Sequence, residues 1–440
     1  MKTLGKLLVV VILLCTGFAA QAATTYYVAT TGNDSNSGTS ATQAKRTIQA
    51  AIDVAAMGDV VQVAAGTYLL DSAIVLKEGV NLRGASSVIL DGQDKTRIIF
   101  QASNFSTNTL VEGLVIVHGF LEDKNARGAG AFLRSNVTLR SCSFRENKIS
   151  AQLNSGAGSG KGAGLYLDSK DNRIENCTFE SNGITNSFEE NTYTAMGAGL
   201  YSSGGNTVVS SHFSQNEIIN AGNGSSYGGG VYALSQTEIN SCTINQNSIT
   251  KTGALAGSVA QGGGVHLNSS MLKNSTISKN IVAYTAEESS DAASFASSDI
   301  GGGGVYANFS ATVYKNNIGD NKFDYTVTLP SGKMLSVNRV GGGGLMCYSG
   351  NASRASIVSN AIYNNKFTET ITGGVSVKNG GGGGIYASNV GHTTIDSCMV
   401  YSNAASGTNL GQGGGMYLTK MTMVNAVHTG NINAVRCDVR

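Results

Sequence analysis

The stretches GGGVY at residues 228–232 and INSCTINQN at residues 239–247 decide how this chain is read, because both return along its length. Glycine-ended tracts close at 130, 164, 199, 230, 264, 304, 344, 384 and 415, at intervals of 31 to 40 residues. Self-similarity at a period of roughly 20–50 residues is the signature of a solenoid. The residue after each tract is aliphatic in every copy: Ala131, Leu165, Leu200, Val231, Val265, Val305, Leu345, Ile385 and Met416. An aromatic column follows, with Phe132, Tyr166, Tyr201, Tyr232, Tyr306, Tyr386 and Tyr417, interrupted by His266 and Met346. A third position returns to small or aliphatic residues such as Leu167 and Ala233. That in-out-in alternation is a short strand with period two.

The second motif repeats as LRSCSFREN (139–147), IENCTFESN (174–182) and INSCTINQN (239–247), and carries two apolar columns. Leu139, Ile174, Val208 and Ile239 represent the first; Phe144, Phe179, Phe213 and Ile244 represent the second. Three residues later stands an asparagine in all nine copies: 147, 182, 216, 247, 280, 321, 365, 403 and 431. Asparagine tolerates a left-handed corner, and stacked amides can bond from coil to coil. Glycine serves the other corner, where positive φ or close approach excludes a Cβ. The predicted fold is all-β: a single-stranded right-handed parallel β-helix with an N-terminal helical cap.

Between each asparagine and the next glycines lie segments of changing length, such as 181–196, 250–261, 284–300 and 324–340. They are read as variable loops on one edge, where repeat proteins often carry binding surfaces. Ahead of the array, residues 47–56 read as an amphipathic helix plugging the open end, with the first coil starting at Val60. Residues 1–22, with Lys2 and Lys6 before the apolar run 7–14 and Ala20-Gln21-Ala22, have the form of a secretory signal peptide. Cleavage is expected after Ala22, because Leu14 before Cys15 is a poor lipoprotein site. The expected organisation is a signal peptide (1–22), a cap with first coils (23–100) and a repeat region (101–440). The pattern stops after Asn431 with INAVRCDVR, which suggests a truncated product or a missing downstream module.

Without Lys2 and Lys6 the chain carries 28 basic and 28 acidic side chains, so it lacks the basic excess that draws nucleic acid. No stretch approaches the roughly 20 apolar residues of a membrane helix. Glycine runs also occur in phosphate loops, but here each precedes a strand rather than a helix N-terminus. Cys142, Cys177, Cys242 and Cys398 share one inward column with Ser and Asn, as small core fillers do. Their spacing fits no zinc site.

GGGVY (228–232), GGGGIY (381–386), FESN (179–182) and INQN (244–247) resemble the repeats of polymorphic outer membrane proteins, a bacterial adhesin family. YYVATTGNDSNSGTS (26–40) with TIQAAIDVAAMGDVVQVAAGTY (47–68) is similar to the start of many pectate-lyase-like β-helix proteins. These resemblances imply the fold, and for function a secreted or bacterial cell-surface location, at the outer membrane or beyond. They imply either adhesion or a polysaccharide lyase acting by calcium-assisted β-elimination on a uronate-containing glycan. The lyase needs clustered carboxylates and a basic residue beside the abstracted proton. No Asp-Asp pair or run of acidic residues at matching coil positions is present, so no metal ligand is assigned and calcium belongs to the lyase alternative alone. The NxD, DD, GHG and RxK strings of glycoside hydrolases on this fold are missing too.

Charge is concentrated in the first full coils, including Lys124, Arg127, Arg134, Arg140, Arg145 and Lys161. Arg140, Arg145 and Lys161 are the lyase candidates. The structural alternative is cross-coil ion pairing, with Arg140 over Glu175 and Arg145 over Glu180. Asp34 and Asn36 have the spacing of a calcium loop but lack its downstream Glu, as a polar turn would. Tyr166, Tyr201, Tyr232, Tyr306, Tyr386 and Tyr417 are the glycan- or partner-contact candidates, expected as an outward stripe. Ring stacking beneath folded loops is the structural reading of the same column, and the one favoured over ligand contact. The expected function is adhesion or carbohydrate binding without catalysis, by a monomer whose partner is a polysaccharide or a host or cell-surface glycoprotein.

Overall fold

The computed structural model describes residues 22–440 apart from 152–155, 254–257, 288–295, 298, 330–333, 338, 350–353, 373, 378–379, 390–392, 408–412, 420, 425–426, 429–431, 435–436 and 440. Residues 1–21 of the expected signal peptide and Asn431 lie outside the described residues.

Consecutive coils stack as a right-handed parallel β-helix, each strand pairing in register with its equivalent one coil later. In one coil, Leu165–Leu167 belongs to a sheet we call the tyrosine sheet, and Arg173–Glu175 and Thr178–Glu180 to the long sheet. Gly183–Asn186 then leaves the coil in an outgoing sheet, and Thr192–Met196 comes back in a return sheet. The next coil begins at Leu200–Ser202. The expected loops are therefore partly ordered strands. Ile149, Ile184, Ile218, Ile249, Val282, Phe323 and Phe367 form a buried column two residues after each asparagine and meet Tyr193 and Ala195 in a second core. That apolar content gives the excursions a reason to pair.

The main core lies between the long and tyrosine sheets. Phe144, Phe179 and Phe213 stack at 4.9 and 4.7 Å between centroids. Complete burial of one such ring contributes about 1.5–3 kcal/mol. Cys142, Cys177, Cys242 and Cys398 line this core as free thiols. The cap helix, Ile48–Val54, is N-capped by Thr47 and adds Ile48, Ala51 and Ile52 to the same core. Thr25–Val28 already pairs with Val60–Val63, so the stack begins before the expected first coil. The Asp34 carboxylate accepts bonds from the Arg46 and Thr47 amides and the Thr47 hydroxyl, which ties the turn to the helix start.

The two corners form one device. An unbroken amide ladder runs from Asn147 through 182, 216, 247, 280, 321 and 365 to Asn403, each Nδ2 donating to the next Oδ1 at 2.8–3.0 Å. Left-handed backbone falls on the preceding residue, such as Ser181 (φ 55°) or Gln215 (φ 56°), rather than on asparagine. Gly197 opens the opposite corner at φ 59°, and a Cβ on Gly199 would stand 2.8 Å from Gly230 O and 3.0 Å from Asn216 Cγ. Glycine and asparagine recur together because one makes room for the other.

Candidate functional site

The glycine corner brings the return sheet and the outer face of the tyrosine sheet against each other along a seam. One side is the ring column, Phe100, Phe132, Tyr166, Tyr201, Tyr232, His266 and Tyr306, in register from coil to coil. The other side is Arg127, Lys161, Met196, Tyr227, Gln261 and Gly301, also in register. Successive rings from Phe132 to Tyr306 stack at 4.8–5.1 Å. This is the expected aromatic column, but it is not an outward stripe. The six candidate tyrosines are between 0 and 9% exposed, because the return strands fold over them. Burial pushes the Tyr166, Tyr232 and Tyr306 phenols far above their ordinary range, so they stay protonated at neutral pH.

The two ends of the roof differ. Gly301 and Gly341 face Met346 and Tyr386, with no space for a Cβ, and there the rings are closed off. Long side chains stand over the first coils. The Arg127 guanidinium lies 5.6 Å from the Tyr166 centroid and the Lys161 ammonium 5.2 Å from that of Tyr201. Arg97 lies over Phe100 and Phe132 at 5.2 and 5.4 Å, held by bonds to the carbonyls of Gly128 and Arg127. Arg97 and Arg127 border a hollow of 190 Å³. The nearby Arg134 is spoken for by Asp168 at 2.9 Å. Burial, and then the Arg127 charge, lowers the Lys161 pKa, against a smaller opposing pull from Asp168. Two coils further, a pocket of 330 Å³ opens beside Tyr232, His266 and Tyr306.

Arg140, Arg145 and Lys161 are not brought together. Arg140 is on the long sheet, bonded to Glu175 at 3.0 Å and 3.7 Å from Glu112, and these partners raise its pKa further, Glu175 first. A guanidinium so held cannot take a proton. Arg145 lies in register with Glu180, and its Nε is buried without a hydrogen-bond partner among the described residues. Lys161 alone reaches the seam. Among the described residues no group of three or more His, Cys, Asp and Glu side chains is placed to hold a metal ion.

Exposed rings occur on a different column from the buried one. Tyr363 and Tyr401 stack at 5.4 Å on the open face of the long sheet, and Tyr401 is 39% exposed. The Tyr363 ring occupies the place a Cβ would take on Gly319. The position following the Phe/Ile column runs Arg145, Glu180, Ser214, Asn245, Ser278, Gly319, Tyr363, Tyr401, and its change from charged to aromatic was the available signal.

A family model described as "Protein of unknown function (DUF1565)" matches residues 30–304. No curated protein matches the chain. Among solved structures, pectate lyase Pel9A is similar at 14% identity, with 95% of this chain and 80% of that one covered and a TM-score of 0.34. PfbA, a surface adhesin of Streptococcus pneumoniae, is similar at 12% identity, 89% and 87% coverage and a TM-score of 0.32. The A-module of the Azotobacter vinelandii mannuronan C-5 epimerase AlgE6 is similar at 12% identity, 89% and 93% coverage and a TM-score of 0.33. No described helix is long and apolar enough to cross a membrane.

Proposed function

The chain belongs to the DUF1565 family, and we propose that it is an exported or surface-displayed β-helix that binds an acidic glycan along the seam without cleaving it. The observation that carries this is the pairing of Arg97 and Arg127 on a hollow lined by Phe100, Phe132 and Asp123, with Lys161 continuing the line of cations over Tyr201 further along the seam. Burial, and then the neighbouring Arg127 charge, lowers the Lys161 pKa, a position suited to a ligand that supplies negative charge. The ring edges and apolar stems beneath them offer contact to sugar C–H surfaces.

The absence of chemistry rests on the protonation states. The buried phenols are held neutral, and Arg140 is held charged by its ion pairs. The lyase alternative rests on Lys161, whose pKa is lowered by burial and then by the Arg127 charge. The test is titration of oligogalacturonate, alginate and heparin oligosaccharides by calorimetry, with ultraviolet absorbance of unsaturated uronates followed in the same samples. Binding that falls about tenfold or more in Arg127→Ala or Lys161→Ala, with no absorbance rise, is the expected result. An absorbance rise abolished by Lys161→Ala contradicts the non-catalytic part. No binding by any acidic glycan contradicts the whole proposal.

A further inference from the structure

The second hollow of the seam differs in chemistry from the first. Its 330 Å³ are bordered by the rings of Tyr232, His266 and Tyr306 and by the side chains of Asn268, Asn308 and Asp299. His266 is sandwiched at 4.8 Å from Tyr232 and 5.0 Å from Tyr306, is 3% exposed, and its Nδ1 has no hydrogen-bond partner among the described residues. A buried polar nitrogen left unsatisfied costs about 1–3 kcal/mol, a cost that a ligand hydroxyl reaching it would offset. Burial lowers the His266 pKa to about 3, so the ring is uncharged at neutral pH. Asp299 is the carboxylate of the pocket; it is ion-paired with Arg339 and accepts the Tyr306 hydroxyl at 3.3 Å.

We propose that this pocket is a separate subsite for an uncharged, hydroxyl-rich sugar ring, so that the ligand of the seam carries acidic and neutral units in one chain. The inference rests on the glycan-binding proposal above. A carboxylate placed here would stand beside Asp299, and because Asp299 is already paired with Arg339 it leaves little uncompensated charge to hold an ammonium, whereas hydroxyls need none. The Asn268 and Asn308 amides carry both donors and acceptors, the combination that hydroxyls need, and although Asn308 Oδ1 accepts the Phe309 amide and Asn268 bonds with Tyr232, each retains further bonding capacity. From Phe132, in the first hollow, to Tyr232, in the second, is three strand steps, or about 14 Å. That is close enough for one extended oligosaccharide to reach both hollows.

Saturation-transfer NMR on the full chain with the methyl glycosides of glucose, galactose, mannose and N-acetylglucosamine tests this, with Asn268→Ala, Asn308→Ala and His266→Phe as pocket variants. Oligogalacturonate is titrated into the same samples. The expected result is transfer to at least one neutral glycoside, weakened about three- to tenfold by each asparagine variant, as loss of one hydrogen bond implies. Arg140→Ala, on the long sheet, leaves it unchanged. Absence of transfer to every neutral glycoside, or transfer indifferent to all three pocket variants, overturns the subsite while oligogalacturonate binding preserves the glycan-binding proposal. If the acidic oligomer also fails to bind, both fall.

Discussion

At the scale of the residue, two side chains show how burial decides behaviour. Asn216 is fully buried, donates to Asn247 Oδ1 and Phe179 O, and accepts from the amide and side chain of Asn182. Asn216→Ala leaves several buried groups unpaired and is expected to cost about 2–4 kcal/mol in urea unfolding. The asparagine column was legible from nine repeated letters, but its physical reason was half right: the ladder was anticipated, while the left-handed backbone belongs to its neighbour. His266 makes a pH-dependent contribution. Burial lowers its pKa from 6.5 to about 3, so below 6.5 the unfolded chain takes up a proton that the folded chain refuses. Stability is thus lost as pH falls through 6.5 toward 3, at up to about 1.4 kcal/mol per unit. His266→Phe should lose about 2 kcal/mol less than the parent between pH 7 and pH 5 in matched urea titrations. Equal losses would show that the ring is not held neutral.

At the scale of the element, the buried columns of the coil were readable because every coil packs against a near copy of itself, so the same demand repeats at the same place. The excursions were read as loops because their length varies. Yet Ile149, Ile184, Ile218 and Ile249 follow the asparagines at a fixed offset, and that small column was enough to specify an outgoing strand. The register of the return strands was also available, because Lys161, Met196, Tyr227 and Gln261 each stand immediately before the positive-φ glycine that opens the next tract, but the varying length ahead of them masked it. The segments expected to fold over the tyrosines as loops are strands, and Lys161, grouped with Arg140 and Arg145 by charge, belongs to one of them. The corner itself is testable. Gly199→Ala drives a Cβ against Gly230 O and Asn216 and should cost about 2 kcal/mol or more, whereas Gly183→Ala, with Glu217 O 4.0 Å away, should fall within about 0.5 kcal/mol of the parent. Thermal unfolding of the pair measures the difference.

At the scale of the whole molecule, repetition builds the stack and departures from repetition build the site. The long sheet neutralises its charges in a ladder from Arg83 through Glu112 and Arg140 to Glu175. The seam leaves Arg97, Arg127 and Lys161 over aromatic rings, and then changes to uncharged amides two coils later. Binding driven by the first group should weaken as salt rises, since partly exposed charges are screened with a Debye length of about 8 Å at physiological ionic strength. A tenfold increase in sodium chloride should raise Kd for oligogalacturonate, and an unchanged Kd would remove the cations from the account. The most direct test is hydrogen–deuterium exchange of the full chain with and without an acidic oligosaccharide. The seam predicts slower exchange in the return strand 157–161 and the tyrosine-sheet strands 165–167 and 200–202, with strands 137–140 and 173–175 of the long sheet unchanged. Protection confined to the long sheet would contradict it.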